Sequence, residues 1–230
     1  MEDYRVVSVV LHNKKKYTVL LEGTRNLTIA LYPSEIRRFN ISEGNYLSKE
    51  QYGYIEEILY KRGKERALYY LKNSDKTTFQ MRNKLREGFY PDNIIDKIIG
   101  FLNKYGYIDD LQYAERYISY SINKKSLRKI EENLRVKGIS KEIIKDAFDY
   151  FNEYDMDDTI KENSQIELIR KHITRKIKPD MDMNMENKIV MSVVRKGFMY
   201  EDVVSVLKEM KNTIFSVWIA KKLCTTIDIV

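Results

Sequence analysis

Apolar residues recur at steps of three and four positions between residues 94 and 102, which is the period of a helix with one buried face. The residues that form this stripe are Ile94, Ile95, Ile98, Ile99 and Leu102. Gly106 follows the stripe, and glycine ends helices because it adopts the left-handed conformation at little cost. The pattern therefore predicts a helix that stops at Gly106.

A second helix is predicted directly after this stop. Asp109 and Asp110 supply carboxylates where a new helix needs acceptors for its free N–H groups. The apolar stripe of that helix is formed by Tyr113, Ala114, Tyr117 and Ile118. Residues 105–118 are therefore interpreted as a joint between two helical repeats, and residues 152–158 repeat this joint in a drifted form.

A turn of one kind occurs three times along the chain. In each copy a basic helix ends at glycine, at Gly88, Gly138 or Gly197, and an apolar residue follows within one or two positions. A β-branched pair comes five or six residues later, and a second apolar cluster comes one helical turn after the pair. The pairs are Ile94-Ile95, Ile143-Ile144 and Val203-Val204. Three copies spaced by roughly 50 to 60 residues predict one supersecondary element used three times.

Each repeat is predicted to contain three helices. The predicted helices span residues 64–73, 77–87 and 91–105, then 110–124, 126–137 and 141–153, then 158–176, 183–196 and 200–212. Repeats of this kind bury their apolar faces against their neighbours. We therefore expect a mainly α fold of tandem three-helix, helix-turn-helix-like repeats that form an elongated, curved body.

The N-terminal part has a different pattern, in which short β-branched runs alternate with polar turns. Runs at residues 5–11, 17–21 and 27–31 predict three strands joined by two hairpin loops. Pro33 ends the last strand, and residues 34–39 are predicted to form a short helical turn. A small antiparallel sheet needs cover on one face, so we expect it to pack on the helices that follow.

Two further segments flank the repeats. Before them, Ser48 and Gln51 have the spacing of a capping box, and the helix that follows either breaks at Gly63 or continues into the first repeat. After them, an apolar tail forms either a helix folded back on the third repeat or an exposed partner-binding segment. The predicted segments are therefore residues 1–46, 47–108, 109–156, 157–212 and 213–230.

The composition favours a soluble helical protein. Three prolines and nine glycines in 230 residues are few for a turn-rich β fold, and a hydrophobic content of 43% is enough to fill a core. Cys224 is the one cysteine, which excludes an internal disulfide and fits a reducing compartment. Neither a secretory signal nor a membrane-spanning run is visible, so we expect a cytoplasmic protein with no membrane contact.

The chain lacks the residue patterns that are typical of enzymes. His12 and His172 lie in separate regions without further ligands at metal-binding spacing, and both are predicted to lie at the surface. No phosphate-binding glycine loop or dinucleotide fingerprint occurs. The acidic stretch at residues 155–158 lacks the glycine and glutamate of a calcium loop and is interpreted as a helix cap. We therefore predict no catalytic residue, no cofactor and no metal.

Charge placement is more informative, because a net charge of +7 predicts an anionic partner. The candidate partner-binding residues are Lys124, Lys125, Arg128, Lys129, Arg135, Lys137, Arg170, Lys171 and Arg175. They form either an ordinary solvated surface or a cationic face for a long anionic partner. The third helices of the repeats are acidic, so phosphate would repel them and we do not expect a major-groove recognition helix.

Two stretches resemble the RecX family of recombination regulators: GYIDDLQYAERYI with the Lys-rich turn after it, and SLRKIEENLRVKGIS. The resemblance extends from about Ala67 to about Met210 and is strongest from Leu85 to Ile144. The β-rich N-terminal part resembles longer family members of Gram-positive-type bacteria. The chain departs from the family pattern at Ser126 or Leu127, where many members have glycine, and the tail after residue 212 matches no family feature.

This resemblance implies an all-helical protein of tandem three-helix repeats without catalytic activity. RecX-like proteins bind the RecA recombinase, lie along the groove of its filament on DNA, and modulate its ATPase and strand exchange. The resemblance thus implies a RecA filament as the partner, with single- or double-stranded DNA phosphates as further contacts. We expect a monomer that inhibits RecA. The alternative that stays open is a DNA-binding helical-repeat protein that acts independently of RecA.

Overall fold

The computed structural model describes residues 4–13, 15–23, 26–151, 158–178 and 181–227. The strands are β1 (Tyr4–Asn13), β2 (Lys16–Glu22), β3 (Leu27–Leu31) and β4 (Tyr46–Leu47). The helices are α1 (Pro33–Arg38), α2 (Lys49–Asn73), α3 (Thr78–Arg86), α4 (Asp92–Lys104), α5 (Asp110–Ser121), α6 (Leu127–Val136), α7 (Lys141–Tyr150), α8 (Asp158–Thr174), α9 (Met183–Val194) and α10 (Tyr200–Ile227). The protein is therefore mainly α, and it divides into unit 1 (Met1–Asp110) and unit 2 (Leu111–Val230).

The N-terminal sheet is antiparallel and has the strand order β3-β2-β1-β4. Its register places Val9 opposite Val19, and Val19 opposite Ile29. Val19 and Ile29 are fully buried, whereas Val10 is exposed, because successive residues of a strand point to opposite faces. The structure confirms the small predicted sheet and adds β4, whose two residues are too few to show a period.

One apolar core fills unit 1 and joins the sheet to the helices. Leu21 and Leu31 of the sheet, Ile55 of α2, and Ile94 and Ile98 of α4 are fully buried members of the same cluster. Such a continuous core covers the inner face of a sheet that could not be stable alone. The prediction that the sheet packs on the following helices is confirmed.

A half-buried arginine adds a polar link to this core. The Arg62 guanidinium on α2 donates to the Glu35 carboxylate of α1 at 2.8 Å and to the Ala30 carbonyl of β3 at 2.6 Å. Side-chain exposures of 16% and 14% exclude much of the water that weakens surface ion pairs. This pair therefore orients α1 and β3 against the first long helix.

The lead-in helix continues without a break into the first repeat as α2. Ser48 and Gln51 form the predicted capping box, with Gln51 N donating to Ser48 Oγ at 3.2 Å and Ser48 N donating to Gln51 Oε1 at 3.0 Å. Gly63 does not interrupt the helix. A Cβ atom at this position would lie 2.4 Å from Ile98 Cδ1, so glycine permits the close approach of α2 and α4.

Unit 2 contains two repeats, and each has its own apolar core. The second repeat, α5 to α7, packs around Ile118, Ile130 and Leu134. The third repeat, α8 to α10, packs around Ile173, Val193 and Val203. Tandem three-helix repeats are thus confirmed, whereas the elongated body and the five segment boundaries stay predictions.

The turns after the middle helices are left-handed in all three repeats, but at different residues. Gly138 and Gly197 have φ values of 80° and 92° in the second and third repeats. In the first repeat Phe89, with φ 59°, takes this conformation instead of Gly88. Gly106, with φ 67°, ends α4 as predicted.

The structure differs from our expectation at the C-terminal end. Instead of folding back after residue 212, the chain continues α10 to Ile227. No glycine or proline lies between residues 200 and 227, so this segment lacks the two residue types that most strongly disfavour a helix. The second predicted joint, at residues 152–158, lies outside the described residues except for Asp158, where α8 begins, and the end of the strand-like tail, at residues 228–230, also lies outside them. Among the described residues, no helix has the length and apolar content needed to cross a membrane.

Candidate functional site

A basic cleft of about 660 Å³ opens in unit 2, where the start of α6 faces the turn between α9 and α10. Its wall on the second repeat carries four predicted partner-binding cations, Lys124, Lys125, Arg128 and Lys129. Its wall on the third repeat adds two cations that we had not predicted, Arg195 and Lys196. Residues 70 positions apart along the chain therefore form one charged surface.

A buried serine connects the two walls of the basic cleft. Ser126 is the N-cap of α6, and its Oγ accepts a hydrogen bond from Lys129 N at 3.3 Å. The same hydroxyl donates to the carbonyl oxygen of Lys196 at 2.7 Å. Because a hydroxyl both donates and accepts, Ser126 caps its own helix and holds the third repeat at the same time.

A glutamine of α8 adds to this contact between the second and third repeats, which we call the seam. Gln165 Oε1 accepts from Leu127 N, the first amide of α6, at 3.3 Å. Gln165 Nε2 donates to the carbonyl oxygens of Ile122 at 3.0 Å and Lys125 at 3.3 Å. This side chain therefore satisfies backbone groups at the turn before α6 that no helix bond can reach.

Glycine at position 197 lets the two walls approach closely. A Cβ atom there would lie 2.6 Å from Ser126 Oγ and 3.3 Å from Arg128 Cβ. The positive φ of this residue also disfavours any other residue type. The turn that the sequence marked as a repeat boundary is thus also a contact point between repeats.

The positive charge of the cleft is only slightly compensated. Glu132 is the one carboxylate that lines the cleft in the described structure, and it pairs with Arg128 at 3.5 Å and Lys129 at 3.1 Å. Hydrogen bonding from Lys129 lowers the pKa of Glu132, so it stays ionised. Lys124 lies over the Tyr120 ring, and Lys125 donates to the Tyr117 hydroxyl at 2.8 Å. None of these tyrosine contacts neutralises a cation at neutral pH.

His172 of α8 also lines the basic cleft, half-buried rather than on the open surface that we predicted. Its ring packs edge-on against Phe198, with 5.8 Å between the ring centroids. Burial lowers the pKa of His172, and the positive charges of Lys196, Lys176, Arg175 and Lys171 lower it further. The imidazole is therefore neutral at pH 7 and reports the positive potential of its surroundings.

The remaining predicted partner-binding residues lie outside the basic cleft. Arg135 pairs with Glu131, and Arg170 donates to Glu209 at 3.0 Å. Lys171 borders a separate depression with Arg170 and Glu209, and Lys137 lies 5.6 Å from the centroids of the Tyr113 and Tyr117 rings. Arg175 is exposed just after the end of α8. Carboxylates thus already neutralise Arg135 and Arg170, in contrast to most cations of the cleft.

Comparison with known proteins finds similarity to one family. The model of the first three-helix domain of RecX matches residues 64–102, and that of the second three-helix domain matches residues 109–147. The regulatory protein RecX of Clostridium acetobutylicum is 28% identical over 220 residues, which cover 91% of this chain and 98% of that protein. The two domain models and this relative support the RecX family for this chain. The RecX of Clostridioides difficile is likewise 28% identical, over 80% of this chain and 85% of that protein.

Solved RecX structures share this fold. The crystal structure of RecX from Lactobacillus salivarius has a TM-score of 0.56 and 29% identity, and it covers 66% of this chain and 97% of that chain. A second RecX crystal structure has a TM-score of 0.58 at 22% identity and covers 89% of this chain and 99% of that chain, which supports the fold alone. The names of the curated relatives describe regulatory proteins.

Sequence reasoning did not predict that Arg195, Lys196 and His172 belong to the basic cleft, or that Gln165 supports the seam beside it. A signal was present for two of them, because Arg195 and Lys196 occupy the basic helix end that precedes glycine in every repeat. We used that pattern to find the repeats and not to find a charged surface. Gln165 has no such signal, since its role depends on three backbone atoms some 40 positions away.

Proposed function

We propose that this RecX-like protein binds the RecA recombinase filament on DNA and inhibits its ATPase and strand-exchange activities. Similarity to a family of regulatory proteins supports a regulatory role. The observation that carries the proposal is the basic cleft, where six cations face an opening and Glu132 is the one carboxylate among the described lining residues. A surface with such an excess of positive charge favours an anionic partner, which is either acidic RecA surface or DNA phosphate.

Repetition supports the choice of a filament over a single globular partner. The chain has three related three-helix repeats, and a filament presents the same surface at regular intervals. Several weak contacts made by one chain to successive protomers add up through effective concentration. A regulator built in this way binds an assembled filament much more tightly than a free RecA subunit.

The test compares a cleft variant with a matched control. Arg128→Glu/Lys129→Glu reverses two exposed charges of the cleft, and Lys49→Glu/Lys97→Glu makes the same change in net charge on exposed residues of unit 1. We expect the wild type and the control to inhibit strand exchange by the host's RecA, and the cleft variant to lose inhibition. Circular dichroism must show equal helix content in all three proteins. Equal inhibition by both variants would reject the role of the cleft.

A pull-down separates the filament from its components. The wild type is incubated with RecA alone, with RecA and single-stranded DNA, and with RecA, single-stranded DNA and nucleotide. We expect strong retention only in the last case, where filaments form. Failure to bind in all three cases would reject RecA as the partner.

The second candidate function is DNA binding without RecA. The observation that favours it is a group of four cleft cations for which the described part of the chain supplies no carboxylate partner: Lys124, Lys125, Arg195 and Lys196. This function predicts tight binding to bare DNA and an affinity that falls steeply with salt, because bound phosphates release counterions. It also predicts that inhibition of strand exchange depends on how much DNA the protein covers. At a constant amount of covered DNA, the inhibition should not change with the amount of RecA.

A further inference from the structure

Hydrogen bonds tie the two walls of the basic cleft together. Ser126 joins its own helix cap to the Lys196 carbonyl at 2.7 Å, and Gln165 holds the turn before α6 through Ile122 and Lys125. Each wall therefore carries its cations at a defined distance from the other wall. A preformed site avoids much of the ordering cost that binding otherwise requires.

The cations of the cleft come from two sides of an opening and not from one flat face. Lys124, Arg128 and Lys129 are exposed on one wall, and Arg195 and Lys196 are exposed on the other. A group bound between the walls is contacted from both sides. This arrangement suits a narrow, densely charged ligand, whereas an ordinary protein interface needs roughly 800 Å² of matching surface on each partner.

His172 adds a titratable donor at this opening. It shares the cleft with Lys196 and Glu132, and Lys171, Arg175 and Lys176 approach it from its own helix and the following turn. The nearby positive charges disfavour a proton on its ring. A bound anion would cancel part of this potential and would let the imidazolium donate a hydrogen bond.

We propose that the basic cleft binds the phosphodiester backbone of single-stranded nucleic acid, and that His172 takes up a proton when the phosphates bind. This inference deepens the proposed function. It rests on that function because the cleft includes four of the cations that the sequence assigned to the RecA–DNA filament. It commits this surface to the nucleic acid of the filament and leaves RecA to other surfaces of the chain.

The two histidines of the chain make a direct test practical by NMR. The wild-type protein is titrated between about pH 5 and pH 8 with and without short oligothymidylate, and the ring signals are followed. We expect oligothymidylate to raise the pKa of His172 and to shift its signals, while the signals of His12 in unit 1 do not respond to the ligand. An unchanged His172 at saturating oligothymidylate would overturn the proposal.

Two further ligands define the chemical class. Inorganic tripolyphosphate presents phosphate without a nucleic-acid chain, and polyglutamate presents negative charge without phosphate. We expect tripolyphosphate to move His172 in the same direction at higher concentration, and polyglutamate to have a much smaller effect. If polyglutamate acts as strongly as oligothymidylate, the cleft takes acidic protein and the phosphate assignment is wrong.

A variant tests whether the cleft or the overall charge is responsible. Arg195→Gln/Lys196→Gln removes the two positive charges from the wall on the third repeat. Lys49→Gln/Lys97→Gln removes two positive charges from unit 1. We expect the cleft variant to bind oligothymidylate about tenfold more weakly at ~0.1 M salt and to reduce the salt slope by about 1. The control should keep the affinity of the wild type. Equal weakening of both variants would mean that net charge alone attracts the ligand, which overturns the proposal.

The same proteins separate failure of this inference from failure of the proposed function. If Arg195→Gln/Lys196→Gln binds oligothymidylate like the wild type, the phosphate site is rejected, whatever RecA does. If His172 responds as expected but the wild type leaves RecA strand exchange unchanged, the phosphate site stands and the RecA function is rejected. A response of His172 together with inhibition of strand exchange supports both.

Discussion

Unit 1 and unit 2 join their parts by different chemistry. In unit 1 a single apolar core runs from Leu21 in the sheet to Ile98 in α4, so the parts meet without a gap. In unit 2 the second and third repeats have separate cores, and the side chains of Ser126 and Gln165 connect them by donating hydrogen bonds to backbone carbonyl groups. A polar seam needs no continuous packing. The seam in unit 2 therefore leaves an opening at its edge, and this opening is the basic cleft.

One detail is shared by the two units and shows how such contacts are built. The first amide of α3, Thr78 N, donates to the Asp110 carboxylate at 2.8 Å. The first amide of α6, Leu127 N, donates to Gln165 Oε1 at 3.3 Å. In both cases a side chain from the first helix of the next repeat accepts from the start of a middle helix. Asp110, which we had assigned to the cap of its own helix, therefore serves a helix 32 residues earlier.

The largest expected effect tests whether the core of unit 1 is continuous. Ile98→Ala shortens a fully buried side chain that packs against α2, so the free energy of unfolding should fall by about 2–5 kcal/mol. Because the core is shared, amide hydrogen exchange should become faster in the sheet as well as in α4. Denaturant titration and exchange mass spectrometry measure the two effects.

Leu134→Ala is the matched change in unit 2, since Leu134 is also fully buried. It should destabilise α5 to α7 and leave protection of α9 largely unchanged, because the cores are separate. Val136→Ala, at a side chain that is 80% exposed, should change stability by less than about 0.5 kcal/mol. Unchanged protection of the sheet in Ile98→Ala would contradict a continuous core.

The second prediction concerns the close approach in the seam. Gly106 has a φ of 67°, and a Cβ atom there would have no neighbour within 4 Å. Gly106→Ala should therefore lower the free energy of unfolding by about 1–2 kcal/mol through backbone strain alone. Gly197→Ala has a φ of 92° and also places its Cβ 2.6 Å from Ser126 Oγ, so it should cost about 1–3 kcal/mol more. Thermal and denaturant unfolding of the two variants give the difference. Equal costs would show that the seam tolerates the extra methyl group.

The third prediction isolates the hydroxyl that joins the repeats. Ser140→Ala removes the cap of α7, which accepts from Ile143 N but makes, among the described residues, no contact with another repeat that corresponds to the bond from Ser126, and should cost about 1 kcal/mol. Ser126→Ala removes an equivalent cap together with the bond to Lys196, so its cost should exceed that of Ser140→Ala by about 1 kcal/mol. Denaturant titration measures both. If the two serines cost the same, the bond to the third repeat contributes nothing to stability.

The smallest expected effect is a pH dependence that arises in the cleft. Because the pKa of His172 is lower in the folded chain than its ordinary value of 6.5, the unfolded chain binds more protons between the two values. Its contribution to stability is therefore complete above pH 6.5 and is lost as the pH falls through the folded value. His172→Gln should show a weaker loss of unfolding free energy than the wild type between about pH 7.5 and pH 5. The same loss in both proteins would contradict this assignment.

Much of the fold could be predicted from local patterns. The stripe from Ile94 to Leu102 has a period that only a helix satisfies, and the capping box at Ser48 depends on residues three positions apart. The end of α10 could not be predicted in this way. We inferred a tail from its apolar composition, but residues 200–227 contain no glycine or proline, the two residue types that most strongly disfavour a helix, and α10 continues to Ile227.

By itself, the sequence determined the helical repeats and the small sheet, and it indicated a resemblance to the RecX family and four cations of the candidate site, because each of these depends on residues that are close along the chain. The tertiary structure alone decided that Arg195, Lys196 and His172 join those four cations. Contacts such as the one from Ser126 to Lys196 span 70 residues and join a buried hydroxyl to a backbone carbonyl, which no period or spacing indicates. Charge along the chain therefore predicted an anionic partner, whereas the seam between two repeats decided where that partner is bound in our proposal.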